Sequence, residues 1–303
     1  MKDPSSVSVG RIVKCAISLG VNAYTTARDF LLPAFGVKPK SHCVILNYHS
    51  IPSDERRNFA RQMDAVLRHS TPVGIQTEAL PAAGARYVGI TFDDGFENFI
   101  SVALPELQRR NIPATVFIIL DALGNEFGTP ELLEKVMSAE QLRCLPQDIV
   151  TLGSHTLTHP FLPNLKREEA VTELMESRLQ LENILNRSVT LFSFPFGGFT
   201  DELIQLSRQA GYTRVFTTLP SLAFTDAEQF AVGRIRADTT DWPLEFRLKI
   251  AGAYRWLPWA FALKRRLLNN KLVALALGAS RKSKTSQQIP SCLIRKPAGS
   301  VEV

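Results

Sequence analysis

Short apolar runs alternate with longer amphipathic stretches through the middle of the chain. The runs have the length and the Val, Ile and Phe content of buried strands. Seven strands are predicted, at residues 43–49, 86–92, 114–120, 150–154, 191–194, 212–218 and 231–237. Apolar residues three or four apart predict helices at residues 54–69, 97–110, 166–186 and 201–210. Strands that alternate with helices at this spacing predict an α/β fold with a parallel sheet or barrel.

The two ends of the chain differ from this central region. Residues 1–40 predict a helical, partly amphipathic extension, whereas residues 246–303 mix aromatic and basic side chains before a polar end. We therefore expect three parts: an N-terminal helical extension at 1–40, a globular domain at 41–245, and a basic amphipathic tail at 246–303 that is partly disordered.

Length and cysteine content limit the possible classes of protein. The 303 residues suffice for one substantial core with appendages. The four cysteines lie too far apart for a CxxC clip, which argues against a thiolate zinc site. No apolar run of about 18 residues occurs, so no transmembrane helix is predicted. Polar residues interrupt the apolar N-terminal region, so no cleavable signal peptide is predicted either.

The formal net charge of +6 favours acidic partners, and the excess sits largely after residue 246. Aromatic and basic residues of the tail predict contact with an anionic membrane surface, with packing against the barrel as the alternative. These tail residues are Trp256, Trp259, Phe261, Lys264, Arg265 and Arg266. No nucleic-acid partner is expected. The predicted location is the cytoplasm, with peripheral contact at the inner face of the membrane.

Two adjacent carboxylates, Asp93 and Asp94, follow the predicted strand 86–92 in the sequence TFDDG. Adjacent carboxylates repel each other unless a cation or a proton lies between them. Gly95 permits a sharp turn that can bring both into one pocket. The alternative is an ordinary turn in which Asp94 caps a helix.

A pair of histidines, His155 and His159, follows the predicted strand 150–154 in the sequence SHTLTH. On a single helical turn, imidazoles four residues apart lie on one side and can bind one metal ion. Together with one aspartate they form a known ligand set for catalytic zinc or a similar ion. The second aspartate then remains available as a base.

TFDDG followed about 60 residues later by SHTLTH resembles the first two motifs of the polysaccharide deacetylase family (NodB-like, carbohydrate esterase family 4). The resemblance implies a distorted (β/α) barrel of about seven strands and one divalent metal ion. It implies that Asp94, His155 and His159 bind this ion and that Asp93 is the general base. Zinc is the first choice of metal, with Co, Ni or Mn as alternatives.

Two later segments extend the resemblance. SFPFGG is similar to the family loop in which a backbone N–H at the aromatic position, here Phe196, holds the oxyanion. Ser193 stands where the family has an arginine that steadies the base. DTTDW resembles a further motif, in which Asp238 would tune the acid and Trp242 would form a pocket wall.

Strand alternation places Arg234 and Arg236 on the same face as Asp238. One of the two is therefore a candidate to replace the missing arginine. A solvated turn at Asp238 is the alternative interpretation.

The catalytic acid is expected early in the chain. No histidine follows His159, so the late histidine motif of the family has no counterpart. A Tyr-His pair at the end of the first strand is typical of the poly-N-acetylglucosamine deacetylase branch, which implies His49 as the acid. The alternative is a core histidine that is hydrogen-bonded to the backbone.

The resemblance implies a metal-dependent hydrolase that removes N-acetyl groups from a sugar of a polysaccharide or a lipid-linked glycan. Two alternatives remain open at this point. One is an enzyme of the same fold that opens a cyclic amide or imide. The other is a non-catalytic glycan-binding protein, which Ser193 and the missing late histidine would favour.

Overall fold

The computed structural model describes residues 9–77, 80, 84–130, 132–225 and 229–269. Its helices are α1 (Val9–Leu31), α2 (Arg56–His69), α3 (Leu104–Arg110), α4 (Ala139–Arg143), α5 (Arg167–Leu185), α6 (Asp201–Gln209), α7 (Pro243–Ile250) and α8 (Leu257–Asn269). Its strands are β1 (His42–Tyr48), β2 (Thr71–Pro72), β3 (Arg86–Phe92), β4 (Ala114–Ile118), β5 (Glu126–Thr129), β6 (Leu132–Lys135), β7 (Val150–Ser154), β8 (Leu191–Ser193), β9 (Arg214–Thr217), β10 (Ala231–Gly233) and β11 (Ile235–Arg236).

Eight parallel strands of the described chain form a nearly closed barrel in the order β10-β9-β8-β7-β4-β3-β1-β11. The short strand β2 pairs with β3 outside this path. Strands β10 and β11 are consecutive in the sequence but pair with opposite ends of the sheet, β10 with β9 and β11 with β1. Arg234 is the residue between them and therefore lies at the seam of the barrel. The predicted α/β barrel is confirmed.

The single strand predicted at 231–237 differs from the structure. It is divided into β10 and β11, which gives eight barrel strands instead of about seven. Alternation does not continue across the break, so Arg234 is fully buried while Arg236 is exposed. The expectation that both arginines share a face is therefore wrong.

The core strands are apolar almost throughout, because barrel strands are covered on both faces. In β1, Cys43, Val44, Ile45 and Leu46 are completely buried. The core also continues past the predicted boundary at residue 245. Phe246 and Ile250 of α7 and the following Tyr254 are buried in the same cluster.

Several elements depart from the predicted helices and strands. The predicted helix at 97–110 begins with a π-turn at Phe99–Ala103 and becomes α-helical at Leu104. Pro105 cannot donate a backbone hydrogen bond, so a regular helix can start there but cannot run through it. The antiparallel hairpin β5–β6 and the short helix α4 were not predicted.

The predicted tail is described only in part. Residues 270–303 lie outside the described residues, as do the side chains of Lys264, Arg265 and Arg266. Within α8, Trp259 and Phe261 are exposed. No helix in the described ranges combines the length and the apolar character needed to cross a bilayer.

A buried carboxylate joins α2 to α3. Glu106 of α3 accepts hydrogen bonds from Arg110 at 2.6 Å, from Arg56 of α2 at 2.9 Å and from Arg109 at 3.0 Å. Burial alone would raise the pKa of Glu106, but the three guanidinium groups lower it to about 2.

Replacement of Glu106 by glutamine should therefore lower stability by about 1–2 kcal/mol near neutral pH, since solvent partly screens these pairs. The pKa of about 2 in the folded state lies below the ordinary value of 4.5. The stabilisation is thus present above pH 4.5 and is lost as the pH falls toward 2. Denaturant unfolding of both proteins across this range should show their stabilities converging at low pH. Glu176→Gln, at an exposed site of α5, is the control and should differ little from wild type at any pH.

Candidate active site

The predicted chemical groups meet at one end of the barrel. Asp93 directly follows β3, His155 directly follows β7, and Ser193 ends β8. The carboxyl ends of parallel strands lie together at one mouth of a barrel, which is where such folds place their sites. The backbone N–H of Asp93 still donates to the Tyr48 carbonyl of β1 at 3.0 Å, so this aspartate is fixed to the sheet.

Asp93 forms a two-pronged ion pair with Arg234. The two Nη atoms of the arginine lie 2.7 and 2.8 Å from Oδ1 and Oδ2 of the aspartate. Asn47 of β1 also donates to Oδ2 at 3.1 Å. Arg234 further donates to the Ser193 hydroxyl at 2.7 Å, so Ser193 contacts the arginine that pairs with Asp93.

Arg234 supplies the charge that keeps Asp93 ionised inside the barrel. Burial alone would raise the pKa of Asp93. The adjacent guanidinium group outweighs burial and holds the pKa far below its usual value, with a smaller contribution from His155. Asp93 is therefore an oriented carboxylate.

Asp94, His155 and His159 form a group that can hold a metal ion, with one ligand atom from each within 4.8 Å of the others. Oδ1 of Asp94 lies 3.5 Å from Nε2 of His155 and 3.5 Å from Nε2 of His159. All three residues are buried. Two imidazoles and a carboxylate are a donor set that suits zinc and similar divalent ions.

Two polar atoms of this group have lone pairs that are available to bind a cation. Nδ1 of His155 lies 2.7 Å from the Ser193 carbonyl, which can accept a hydrogen bond only, so this nitrogen carries the proton and Nε2 has a free lone pair. Oδ1 of Asp94 is buried without a hydrogen-bond partner among the described residues. Such an orphaned carboxylate oxygen fits a metal ligand.

The pKa values of the three side chains also agree with metal binding. Burial and the neighbouring Asp93 raise the pKa of Asp94 well above its usual value. Burial lowers the pKa of His155 to about 4 and that of His159 well below its usual range. The imidazoles are therefore neutral, as metal binding requires, and a cation would compensate the carboxylate.

Backbone strain is concentrated at this mouth. Four non-glycine residues of the site have left-handed backbone angles: Asp94 with φ 70°, Thr156 with φ 69°, His159 with φ 63° and Phe196 with φ 57°. Such conformations cost about 1–3 kcal/mol each and persist where the surrounding structure enforces them. Their clustering is the backbone signature of a functional site.

The histidine pair does not lie on a helical turn, and that expectation is wrong. Residues 155–161 form an irregular loop, because the positive φ angles at Thr156 and His159 are incompatible with a right-handed helix. The Thr156 hydroxyl accepts the His159 N–H at 2.9 Å and so fixes the return of the chain. The two rings still meet, with centroids 4.9 Å apart.

Glu173 of α5 holds this loop in place. Its carboxylate accepts the backbone N–H groups of Leu157 at 2.8 Å and Thr158 at 3.0 Å, together with the Thr158 hydroxyl at 2.6 Å. Glu173 is itself buried. It therefore positions His155 and His159 without contacting either ring.

Aromatic rings form the wall beside His159. Phe196 packs edge-on against the His159 ring at 4.7 Å, and Phe127 of the β5–β6 hairpin packs at 5.2 Å. Phe196 is about half exposed, with a relative accessibility of 48%. The backbone of Phe196 is thus next to a predicted metal ligand, and its oxyanion role stays a prediction.

His49 follows β1 and is half-buried at the same mouth. Burial lowers its pKa, the nearby Asp93 opposes this shift, and Arg236 adds to it. The charge of His49 in turn influences the pKa values of Asp93 and His155. The structure brings His49 into the electrostatic environment of the site, and its role as the acid stays a prediction.

Asp238 and Trp242 lie in the loop between β11 and α7. The Asp238 carboxylate accepts hydrogen bonds from Thr240, while its charge influences the pKa of His49. Arg11 of α1 stacks over the Trp242 ring at 4.4 Å. Trp242 lines a cavity of about 530 Å³ between α2 and α7. Its contribution to a substrate pocket stays a prediction.

Sequence patterns did not identify Asn47 or Glu173 as residues of the site. They also did not distinguish Arg234 from Arg236 as the arginine that pairs with Asp93. Arg234 was one of two candidates, and the break between β10 and β11 that separates them has no clear sequence signal. Glu173 lies among several acidic residues of α5. Nothing in its spacing separates a buried carboxylate from an exposed one.

Known proteins resemble this chain in sequence and fold. The family described as polysaccharide deacetylase matches residues 81–215. This part of the chain is therefore a polysaccharide deacetylase domain. The protein YxkH of Bacillus subtilis is 28% identical over 203 residues, which cover 63% of this chain and 70% of YxkH. The poly-beta-1,6-N-acetyl-D-glucosamine N-deacetylase of Staphylococcus aureus is 26% identical over 157 residues, which cover 50% of this chain and 54% of that protein.

The structure of IcaB from Ammonifex degensii shares the fold of this deacetylase domain, with a TM-score of 0.60 and 24% identity. The match covers 72% of this chain and 98% of the other. The family match at 81–215 includes the two aspartates, the two histidines and the Phe196 loop. His49 and Arg234 lie outside it, so their assignment depends on the geometry.

Glu173→Ala should lower metal affinity by about 10–100-fold, because the loop that carries both histidines loses its three hydrogen bonds. Titration of metal-free protein with zinc would measure this change. Glu176→Ala, at an exposed position of the same helix, is the matched control and should bind zinc normally. Unchanged affinity in Glu173→Ala would show that the loop keeps its shape without the carboxylate.

Proposed function

We propose that this protein is a metal-dependent hydrolase that removes N-acetyl groups from an N-acetylated glycan. The observation that carries the proposal is the buried, unpartnered Oδ1 of Asp94, which lies 3.5 Å from Nε2 of His155 and 3.5 Å from Nε2 of His159. An oriented carboxylate, Asp93, lies directly beside this group, with its Oδ2 4.0 Å from Nε2 of His155.

The proposed substrate class follows from the relatives. The Staphylococcus aureus relative is named for poly-beta-1,6-N-acetyl-D-glucosamine, and a relative in Cryptococcus neoformans is named a chitin deacetylase. Both names describe glycans that carry N-acetyl groups. We extend this class to the present chain, either as a polymer or as a lipid-linked glycan.

Asp94, His155 and His159 would hold the metal ion, and zinc is the first candidate because of the two imidazoles. Cobalt, nickel and manganese are alternatives. When bound, a divalent ion lowers the pKa of a water molecule and polarises the acetamide carbonyl. Burial of Asp94, His155 and His159 would strengthen their attraction for a cation, because the local dielectric is low.

Asp93 would accept the proton of the attacking water. Its contacts with Arg234 and Asn47 keep the carboxylate in one orientation, which removes the cost of arranging it for each turnover. The Phe196 N–H would stabilise the oxyanion. The positive φ of Phe196 and the packing of its ring on His159 bring this part of the backbone to the ligands.

His49 would protonate the departing amine. It lies at the same mouth as Asp93, and the electrostatic coupling between the two side chains supports this role. Asp238, which also influences His49, would tune the acid. The products would be acetate and a free amino sugar.

Two alternatives remain distinguishable by assay. Ser193 has no charge with which to hold the proposed base Asp93, but Arg234 contacts both residues and supplies that charge. The non-catalytic interpretation therefore loses part of its support. Release of acetate from N-acetylated oligosaccharides by metal-loaded protein would support the proposal. Hydrolysis of cyclic imides without acetate release would support the cyclic amide alternative, and binding without turnover would support the glycan-binding alternative.

Asp93→Asn and His155→Ala should separate the base from the metal ligands. Asp93→Asn should keep the metal and lose most activity, because an amide cannot take up the proton. His155→Ala should lose metal, because two remaining ligands hold a divalent ion poorly. Elemental analysis and acetate release measure the two properties, and His69→Ala on the exposed end of α2 is the control. Near-normal turnover in metal-bound Asp93→Asn would contradict the assignment of the base.

His49→Asn should leave folding and metal content intact but lower kcat by roughly 100-fold or more, because an amide nitrogen departs poorly without a proton. The loss should appear mainly in kcat, since the interaction is strongest as the amine departs. His69→Asn is the matched control and should keep full activity. Unchanged kcat in His49→Asn would transfer the role of the acid to another group.

A further inference from the structure

Helix α1 packs against the barrel with its polar side. Cys15, Ser18 and Thr25 are its buried residues. Arg11 pairs with Glu245 of α7 at 2.7 Å, and the Trp256 side chain donates to the Ser18 hydroxyl at 2.9 Å. Small and polar groups therefore anchor the helix to the domain.

The outward side of α1 is apolar along its whole length. Val9, Ile12, Val13, Leu19, Tyr24 and Phe30 are exposed, and Phe30 has a relative accessibility of 83%. At the helical period, the centre of the outward side of α1 is apolar, and the exposed polar residues Lys14, Thr26 and Arg28 lie at its edges. This is the reverse of an ordinary surface helix, which buries its apolar stripe. A long apolar face of this kind indicates an apolar partner.

A basic cavity lies beside the C-terminal part of α1. It has a volume of about 380 Å³, and four of the side chains that line it are cationic. These are Arg28, Lys40, Arg86 and Arg255. One carboxylate, Asp29, is among the lining residues and pairs with Arg28 at 2.6 Å.

The cavity carries a net positive charge, because its four cationic side chains outnumber its one carboxylate. Burial, Arg86 and Arg255 all lower the pKa of His42, which also lines the cavity. The buried Nε2 of His42 has no hydrogen-bond partner among the described residues. Because His42 and Arg86 begin β1 and β3, the cavity lies at the end of the barrel opposite the metal ligands.

We propose that α1 and this cavity dock the protein on an anionic bilayer. The outward apolar side chains of α1 enter the headgroup region, and the cavity receives the phosphate of a lipid headgroup. This interface is separate from the proposed deacetylase site.

A bilayer fits both features at once. An anionic polymer or free phosphate would occupy the basic cavity but would leave the apolar face of α1 exposed. A second copy could cover the apolar face but would bring another set of cationic cavities close to the first. An anionic membrane offers apolar chains and phosphates within a few ångströms of each other.

The test is cosedimentation of the full chain with vesicles. Wild type should bind vesicles of phosphatidylcholine mixed with phosphatidylglycerol more strongly than phosphatidylcholine alone. The variant Ile12→Glu with Tyr24→Glu should bind the mixed vesicles at least about tenfold more weakly. The matched control, Met175→Glu with Leu179→Glu on exposed sites of α5, should bind like wild type.

The cavity is tested by Arg86→Gln with Arg255→Gln. Each replacement should weaken binding to mixed vesicles about fivefold, as expected for one basic residue near an anionic surface. Arg143→Gln with Arg167→Gln, which removes the same charge elsewhere, should weaken binding less. All variants should keep the circular dichroism and zinc affinity of wild type.

Hydrogen exchange of the wild-type protein avoids substitutions altogether and should slow in α1 when mixed vesicles are added. If the α1 variant bound mixed vesicles as strongly as wild type, the proposal would be overturned. Vesicle binding would then be assigned to the C-terminal tail. If inorganic phosphate suppressed vesicle binding and the α1 substitutions had no effect, the cavity would be a site for free phosphate only. A dimer that dissociates in the α1 variant, without vesicle binding, would identify a second copy as the partner.

Discussion

The buried contact between Arg234 and Asp93 is the interaction on which the rest of the site depends. Removing two charges from water is costly, and a buried pair recovers this cost only when geometry and further hydrogen bonds are favourable. Here the guanidinium group also donates to Thr91, Ser193 and the Thr217 carbonyl, and it lies over the Phe117 ring. The arginine thus connects three barrel strands to the Asp93 carboxylate.

The proposed metal ligands depend on a second kind of constraint. Parallel strands are rigid, and they end directly before Asp93 and His155. The loops that follow them adopt left-handed angles that free loops would avoid. Hydrogen bonds that the Glu173 carboxylate and the Thr156 hydroxyl accept hold the angles of the loop after β7. The sheet therefore fixes where the ligands begin, while the loop contacts determine how they converge.

Periodicity and motifs predicted much of this protein. Seven strand positions, the α/β barrel and the family were predicted because buried strands and adjacent chemical groups leave a local signal. The seam between β10 and β11 was not predicted, since nothing local marks a strand that changes partners. The histidine pair was placed on a helix because spacing alone does not report backbone angles. Arg234 and Glu173 act across long sequence separations, which single-chain patterns do not reveal.

The position of the seam has a consequence for how the chain acquires its structure during synthesis. Asp93 and Arg234 are 141 residues apart, so the ribosome releases the carboxylate long before its partner. Until β11 is made, the β1 edge of the sheet stays unpaired and the interior holds an uncompensated charge. Contacts this distant form late and slowly. A nascent chain that lacks β11 would therefore expose an unpaired strand edge, and chaperone protection would be most valuable in that interval.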